Sequence, residues 1–176
     1  MGSIDKGLVA FRGEPLVAHV VERLRPQVGP LMISANRHRE RYEALGLVVV
    51  ADATDDGIGP LAGLHAGLTA CTTDFLVAAP CDAPFLPHDL VARLSRPVAD
   101  GSTVIAMART VGGTHPVFCL MRTDVVAALA AFIDSGRRSV GAWIAAMHGR
   151  EVSFEDERSF RNLNTCDELR DAEHGV

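Results

Sequence analysis

Apolar residues follow two different spacings along the chain, and each spacing predicts one type of secondary structure. Apolar positions three or four apart predict amphipathic helices, whereas short apolar runs rich in β-branched residues predict buried strands. The segments with helical spacing are PLVAHVVERLRP, RHRERYEAL, PLAGLHAGLTAC, PHDLVARLS, TDVVAALAAFIDSG, SVGAWIAAMHG and TCDELRDAE. The predicted strands are LMISA, LVVVA, FLVAAP, TVIAMA and PVFCLM. Helices and strands therefore alternate along most of the chain.

This alternation predicts the fold class. We expect an α/β domain in three layers, with a mostly parallel sheet and helices on both of its faces. The strand PVFCLM is expected to run antiparallel to a neighbour, because the link that carries Gly112 and Gly113 is short. A length of 176 residues without an internal repeat or a linker predicts a single domain over residues 1–176.

Composition and charge exclude several classes of protein. No apolar run is long enough to cross a bilayer, so we expect no membrane association. A net charge of -5 argues against bulk nucleic-acid binding. We expect a cytoplasmic protein without a signal peptide, since the first residues lack a basic region followed by an apolar stretch. The widely spaced cysteines, which form no CxxC pair, predict neither a disulfide framework nor a zinc site.

One carboxylate stands at the position where α/β sheets bind ligands, which is beyond the carboxyl ends of the strands. Asp82 follows the predicted strand FLVAAP and is held between Pro80 and Pro84. Magnesium ions take one or two protein carboxylates and complete their shell with phosphate oxygens and water. Asp82 is therefore a candidate Mg²⁺ ligand, and a cap of the following helix or turn is the alternative.

Two asparagines form a second candidate site in the segment NLNT. Asn162 and Asn164 are two residues apart, so their side chains share one side if the segment is extended. Their amides would then hydrogen-bond a polar ligand. Turn formation before a helix is the preferred alternative on local evidence, since Thr165 and Glu168 have the spacing of a capping box.

Polar residues follow two further predicted strands. Asn36 comes directly after LMISA, in a segment that could receive a phosphate or a nucleotide sugar. Arg39 and Arg41 in the same segment are better interpreted as an exposed helix face. Asp52 comes directly after LVVVA, where it could meet a ribose or a metal. His115 precedes a proline, and a structural role is favoured over a catalytic one.

The segment GIGPLA matches the loose dinucleotide fingerprint G-x-G-x-x-A, but we reject that interpretation. A dinucleotide turn follows its strand at once, whereas DATDD intervenes here. The three aspartates of that segment would also repel a pyrophosphate. A loop in which Pro60 opens a helix is the better prediction.

Lys6 is the only lysine in the chain, and it lies between Gly2 and Gly7 in the segment MGSIDKG. A lysine ammonium is a compact charge on a flexible stem, whereas an arginine guanidinium is a planar fork. Loops that bind phosphate through backbone amides use such a compact charge, and glycines let the backbone approach. This pattern predicts a phosphate contact for Lys6, with an ordinary surface lysine as the alternative.

Several segments, taken in order, resemble the molybdenum cofactor guanylyltransferases, a family of nucleotidyltransferases. They are MGSIDKGL, GEPL, SANRH, GPLAG, PCDAPF, HP and NLNT followed by DEL. The resemblance implies a nucleotidyltransferase-like, Rossmann-like fold. It also implies a reaction in which GMP from GTP is joined to the terminal phosphate of molybdopterin, with Mg²⁺ as cofactor and release of pyrophosphate.

The resemblance also implies roles for individual residues. Lys6 would contact the nucleotide phosphates, and Asp82 would hold the magnesium ion, so these two residues would carry the catalysis. Asn36 and Asp52 would lie on the nucleotide side of the site.

On the other side of the implied site, Asn162 and Asn164 would lie near the pterin phosphate and the metal. The implied partners are GTP and molybdopterin. Molybdoenzyme chaperones or other cofactor-biosynthesis proteins would be further partners.

One departure from the family pattern leaves alternatives open. In the family, the lysine loop ends a longer signature, roughly L-A-G-G-x-x-x-R-M-G, which follows the first strand, whereas this sequence begins at its Met-Gly. We therefore expect a domain without that strand, with unpaired sheet edges and poor activity. A molybdopterin cytidylyltransferase is one alternative, because the base contacts would lie mainly in the missing segment. A non-catalytic relative that binds pterin or a partner protein is the other.

Overall fold

The computed structural model describes residues 5–51 and 59–174, and every predicted helix and strand is present in it. The strands are β1 (Ala10–Phe11), β2 (Glu14–Pro15), β3 (Met32–Ser34), β4 (Val48–Val50), β5 (Phe75–Ala78), β6 (Ile105–Thr110), β7 (Gly113–Arg122) and β8 (Arg150–Ser153). The helices are α1 (Leu16–Leu24), α2 (Arg39–Glu43), α3 (Pro60–Ala70), α4 (Leu90–Ala99), α5 (Val126–Asp134), α6 (Val140–Ala146) and α7 (Cys166–His174). Short 3₁₀ turns span Lys6–Leu8, Arg25–Gln27, Thr123–Val125 and Glu157–Phe160.

The largest sheet has four strands in the order β5-β7-β6-β8. Strand β7 runs antiparallel to both β5 and β6, while β6 and β8 are parallel. Strands β5, β6 and β8 therefore point in one direction, and β7 is the antiparallel exception that its short link to β6 predicted. Strands β3 and β4 form a separate parallel pair, and β1 and β2 form a small antiparallel pair.

Alternate residues of the central strands β6 and β7 enter two different hydrophobic cores, because successive side chains of a strand point to opposite faces. The residues that pack with α3, α5 and α6 are Ile105, Met107, Cys119 and Met121. The residues that pack with α1 and α4 are Ala106, Ala108, Phe118 and Leu120. Helices thus cover both faces of the sheet, which confirms the prediction of a three-layer α/β fold.

Local sequence explains where the helices lie. Helix α1 begins after Pro15 and buries Leu16, Val17 and Val20 along one face. In α3, a β-carbon at Gly67 would lie 3.4 Å from Leu76, so this helix packs closely against β5. Within the described residues, no helix is long and apolar enough to cross a membrane.

Three features of the fold were not predicted correctly. The short antiparallel pair of β1 and β2 was not predicted at all. Strand β8 was missed because it is short and contains a single apolar residue, Val152, which is half-buried. Helix α4 begins at Leu90, three residues later than the proline expected to open it.

Candidate functional site

Three of the predicted site residues meet at one edge of the fold. Lys6 lies in a 3₁₀ turn near the start of the chain, Asp82 in the turn after β5, and Asn164 just before α7. The Lys6 Nζ donates a hydrogen bond to Asn164 Oδ1 at 2.6 Å and lies 4.0 Å from Asp82 Oδ2. The beginning, the middle and the end of the sequence therefore contribute one residue each to this cluster.

Asp82 is an unusually buried carboxylate, with only 6% of the residue exposed. Burial raises the pKa of its carboxyl group, and the Lys6 ammonium opposes that shift only in part. The negative charge of Glu168 raises the pKa further. Because the ionised form of Asp82 is disfavoured by its surroundings, an additional cation beside it would be stabilising.

Lys6 is much more exposed to solvent than Asp82, since 56% of its side chain is accessible. The ammonium group is therefore accessible to a ligand from solvent, while its contacts to Asp82 and Asn164 fix the direction in which it points. The exposed side of the Lys6 ammonium group stays hydrated, while its other side faces the buried Asp82. A phosphate oxygen can therefore bind the exposed side without complete dehydration of the ammonium group.

A capping box at the start of α7 holds Asn164 in place, as the spacing of Thr165 and Glu168 predicted. Glu168 Oε2 accepts hydrogen bonds from the backbone N–H groups of Asn164 at 2.7 Å and Thr165 at 2.9 Å. Thr165 Oγ1 accepts in return from the Glu168 N–H at 3.1 Å. These donors, that of Asn164 first, lower the pKa of Glu168.

The loop of Asp82 is tied to the same C-terminal segment through the backbone. The N–H of Leu163 donates to the carbonyl oxygen of Asp82 at 2.9 Å. Leu163 itself is buried against Phe11, Leu16 and Ala172. The position of Asn164 is thus fixed on one side by a buried leucine and on the other by the helix cap.

A second set of contacts packs against the Lys6 turn and fixes its position. The buried Tyr42 of α2 donates a hydrogen bond to Asp5 Oδ1 at 2.5 Å. A β-carbon at Gly7 would lie 2.8 Å from Tyr42 Oη and 3.1 Å from Cys81 Sγ, so only glycine allows this close approach. Burial and the neighbouring Asp82 raise the pKa of Cys81 to about 11, which leaves its thiol protonated at neutral pH.

Sequence reasoning did not assign Asp5, Tyr42 or Cys81 to the site. Asp5 adjoins Lys6, and Cys81 adjoins Asp82, so proximity to a predicted residue was one available signal. Tyr42 is the only tyrosine in the chain. It lies on the apolar side of a predicted helix, and this position did not indicate a hydrogen-bond partner for its hydroxyl group.

The two remaining residues predicted for the nucleotide are Asn36 and Asp52. Asn36 is exposed in the bend that follows β3, and the described contacts among Lys6, Asp82 and Asn164 do not include it. Asp52 lies outside the described residues. Arg39 pairs with Glu43 on the exposed face of α2, in agreement with the structural interpretation of this residue.

Asn162 lines a different hollow, of about 240 Å³, together with Pro80, His115 and Phe160. Asn162 and Asn164 therefore face different surroundings, although only one residue separates them. His115 exchanges a hydrogen bond with Thr110 at 2.9 Å and stacks on Phe160, with ring centroids 4.7 Å apart. Burial lowers the pKa of His115, which agrees with the favoured structural role.

The described residues place no preformed metal cluster around Asp82. Across residues 5–51 and 59–174, no three His, Cys, Asp or Glu side chains are grouped so that they could hold a metal ion. A divalent ion at Asp82 would have to take its remaining ligands from a bound phosphate and from water, as magnesium ions commonly do.

Comparison with known proteins identifies the family. A model of the MobA-like NTP transferase domain matches residues 1–151. A molybdenum cofactor guanylyltransferase of Cupriavidus taiwanensis is 45% identical over 97% of this chain and 88% of the relative. The chain belongs to the molybdenum cofactor guanylyltransferases. Another guanylyltransferase of this family, from Bordetella pertussis, is 47% identical over the same shares of the two chains.

Solved structures agree with the fold of a guanylyltransferase. The molybdopterin-guanine dinucleotide biosynthesis protein A of Archaeoglobus fulgidus matches with a TM-score of 0.75 at 22% identity, over 98% of this chain and 90% of that one. The 2-C-methyl-D-erythritol 4-phosphate cytidylyltransferase of Thermus thermophilus matches with a TM-score of 0.74 at 16% identity, over 96% and 92%. At these identities the two structures show the nucleotidyltransferase-like fold alone.

Replacement of Tyr42 by Phe is expected to destabilise this guanylyltransferase by about 1.5–3 kcal/mol, the usual contribution of a hydrogen bond to a charged group. In a domain of this size, each kcal/mol lowers Tm by roughly 2–4 °C. Thermal unfolding of Tyr42→Phe, Asp5→Ala and the double variant would measure the coupling between the two side chains. If the two single effects simply added, the contact would contribute nothing to stability.

Proposed function

We propose that this chain transfers GMP from GTP to the terminal phosphate of molybdopterin. The phosphate oxygen of molybdopterin attacks the α-phosphorus of GTP, and the bond to the β-phosphate oxygen breaks. The products are molybdopterin guanine dinucleotide and pyrophosphate. The observation that carries the proposal is the cluster of Lys6, Asp82 and Asn164 in a chain that belongs to the guanylyltransferase family.

The proposed reaction needs no protein nucleophile. Phosphoryl-type transfer depends mainly on positioning and on neutralising the charge of the phosphates. Lys6 supplies a compact positive charge at the rim of the site, and the hydrogen bond to Asn164 orients its ammonium group. Cys81 is adjacent but protonated, because burial raises its pKa to about 11, so it is a poor candidate for a covalent step.

The residues present fit a magnesium ion, and families of this kind usually use a divalent metal. Asp82 offers a hard oxygen ligand whose surroundings disfavour its charge, and Lys6 compensates only part of that penalty. We propose that Asp82 holds Mg²⁺. When bound, the ion would neutralise charge on the triphosphate and assist departure of pyrophosphate.

We place the nucleotide and the pterin on different sides of Asp82. Asn36 and Asp52 follow β3 and β4 and are assigned to the nucleotide side. Asn162 and the hollow beside His115 are assigned to the pterin side, since this hollow is apart from the Lys6 turn. Asn164 lies between the two sides through its contact with Lys6.

The proposal treats residues 1–176 as one domain that works in the cytoplasm. Support for the location comes from Cys71, Cys81 and Cys119, which are free thiols in the described part of the chain. A reduced compartment keeps thiols in this state. Delivery of the product to molybdoenzyme chaperones, or to other cofactor-biosynthesis proteins, is part of the same proposal.

A nucleotide competition assay tests the proposed reaction. The protein is mixed with Mg²⁺, molybdopterin and either GTP or CTP, and released pyrophosphate and the dinucleotide product are measured. We expect product with GTP and little with CTP. Preference for CTP would establish the cytidylyltransferase alternative. Binding of pterin without product from either nucleotide would instead indicate a non-catalytic relative.

A further inference from the structure

Strand β7 is interrupted beside the hollow of about 240 Å³. In its ladder with β6, Cys119 pairs with Met107. The next residue of β6, Ala108, already pairs with His115. Residues 116–118 therefore bulge out of the ladder, and one of them is a proline, which has no N–H to donate. Bulges redirect side chains and often lie next to active sites.

The ring of His115 is held in one orientation at the start of this bulge. Its Nε2 shares a hydrogen bond of 2.9 Å with the hydroxyl of Thr110, a residue that is only 3% exposed. The ring of Phe118 meets it edge-on, with 6.2 Å between the centroids. Burial lowers the pKa of His115, so the ring is mainly neutral at neutral pH. It therefore offers a flat, uncharged face to its neighbours.

Phe160 packs on that flat face. Its ring and the ring of His115 are stacked at an angle of 20°. Phe118 and Phe154 meet Phe160 edge-on, with centroid distances of 4.9 and 5.0 Å. Phe160 is the last residue of the 3₁₀ turn Glu157–Phe160 and is buried. The aromatic cluster therefore anchors the end of this turn to β7.

The start of the same turn packs against the hairpin between β6 and β7. A β-carbon at Gly112 would overlap the carboxylate of Glu157. Asp156 caps the turn, since its carboxylate accepts hydrogen bonds from the N–H of Arg158 at 3.0 Å and from Ser159 Oγ at 2.7 Å. The turn is thus held at both of its ends.

The segment that follows the turn has two anchors. Phe160 is the first anchor, and Leu163, whose N–H donates to the carbonyl of Asp82 at 2.9 Å, is the second. Asn162 lies between them and lines the hollow. Asn164 follows the second anchor and is held further by the cap of α7. The two asparagines therefore depend on different contacts.

We propose that His115 is a positioning residue for the pterin substrate: its ring holds Phe160, and Phe160 fixes the place of Asn162 in the hollow. This inference rests on the proposed function, in which Asn162 lies on the pterin side. Loss of the ring would release the first anchor and leave the second intact. Asn162 would lose its fixed position, while Asn164 would keep its contact with Lys6. Binding of molybdopterin would then weaken without a matching loss in the transfer step.

Steady-state kinetics of two variants test the proposal. His115→Leu removes the ring, so KM for molybdopterin should rise roughly two- to tenfold, the effect of one lost hydrogen bond. Its kcat and its KM for GTP should stay close to the wild-type values. His115→Phe keeps a stacked ring and should keep KM for molybdopterin near that of the wild type. In an Asn162→Ala background, His115→Leu should have no further effect on this KM.

Three kinetic outcomes would overturn the proposal. The first is a loss in kcat rather than a rise in KM for molybdopterin. The second is an equal rise in this KM for His115→Phe and His115→Leu, because the ring would then not be the cause. The third is simple addition of the effects of His115→Leu and Asn162→Ala, because the two side chains would then act independently.

Hydrogen exchange followed by NMR gives a readout that does not depend on transfer. The N–H of Arg161 closes the 3₁₀ turn by donating to the carbonyl of Arg158 at 3.2 Å. In His115→Leu we expect this N–H to exchange roughly tenfold faster or more, while the N–H of Leu163 stays protected. A wild-type protein without GMP transfer would contradict the proposed function. Unchanged exchange at Arg161 would overturn the role of His115 whatever the activity.

Leu129→Ala is the control for a general loss of stability. Leu129 is fully buried in the core on the opposite face of the sheet from Phe160. This variant should lower Tm at least as much as His115→Leu without raising KM for molybdopterin. If Leu129→Ala raised this KM as well, or if His115→Leu unfolded the protein, His115 would only support the fold, and the proposal would be wrong.

Discussion

Asp82→Asn is expected to lose at least about a hundredfold in the rate of GMP transfer while the protein stays folded. The substitution keeps the size of the side chain but removes the charge that we assign to Mg²⁺. A catalytic metal contributes several kcal/mol to transition-state stabilisation, and about 2.7 kcal/mol corresponds to a hundredfold change in rate. The measurement is pyrophosphate release at saturating Mg²⁺ and GTP.

Stability provides an independent readout for the same variant. The pKa of Asp82 is raised in the folded state, so the native protein binds this proton more tightly than the unfolded chain. Stability is therefore lost as pH rises from the ordinary carboxyl pKa through the raised one, and it stays lower above that window. Without Mg²⁺ at neutral pH, Asp82→Asn should thus have a Tm at least equal to that of the wild type.

Asp89→Asn is the matched control for Asp82→Asn. Asp89 is the residue before α4, and its exposed carboxylate lies 3.7 Å from Arg93. This variant should retain nearly full transfer activity. Near-normal turnover of Asp82→Asn at ordinary Mg²⁺ would refute the metal assignment, and a large loss of Tm would show that the carboxylate is structural.

Lys6→Arg is expected to lose roughly ten- to a hundredfold in transfer rate, most of what Lys6→Ala loses, although it keeps the charge. A charge-assisted hydrogen bond contributes about 1.5–3 kcal/mol. The Lys6 ammonium reaches Asn164 at 2.6 Å and Asp82 at 4.0 Å from a turn packed on Cys81. A planar guanidinium cannot reproduce this arrangement, because its donors form a wide rigid fork.

Arg96→Ala serves as the control for loss of a cation, since Arg96 lies on the exposed face of α4. Its activity should be close to that of the wild type. Comparison of GTP titrations with turnover separates binding from chemistry for the Lys6 variants. Equal activity of the wild type and Lys6→Arg would leave the charge of Lys6 as its only contribution.

The secondary structure could be predicted because apolar spacing is a local property of the sequence. The order β5-β7-β6-β8 could not, because it depends on pairings between distant segments. Strand β8 illustrates the limit, since Val152 alone gives no period and its position is set by the parallel ladder with β6. The antiparallel direction of β7 could be predicted, because its link to β6 is short enough to require a hairpin.

For the candidate site, the location of a residue relative to the sheet could be predicted, but its hydrogen-bond partners could not. Asp82 could be placed at the mouth of the sheet because it directly follows a recognisable strand. The hydrogen bond from Tyr42 to Asp5 joins residues 37 positions apart, and no local pattern signals it. Asn164 was first interpreted as a turn residue. The structure shows that it takes part in a helix cap through its backbone and binds Lys6 through its side chain.

The contact between Lys6 and Asn164 spans 158 residues and sets the moment at which the cluster can form during synthesis. At about 5–20 residues per second, a ribosome needs roughly 8–30 s to proceed from one residue to the other. All eight described strands and helices α1 to α6 are synthesised during that interval, so they can begin to fold before Asn164 is added. The newborn protein can therefore acquire most of its architecture before the contact of Lys6 with Asn164, which can form only after the segment that leads into α7 has left the ribosome.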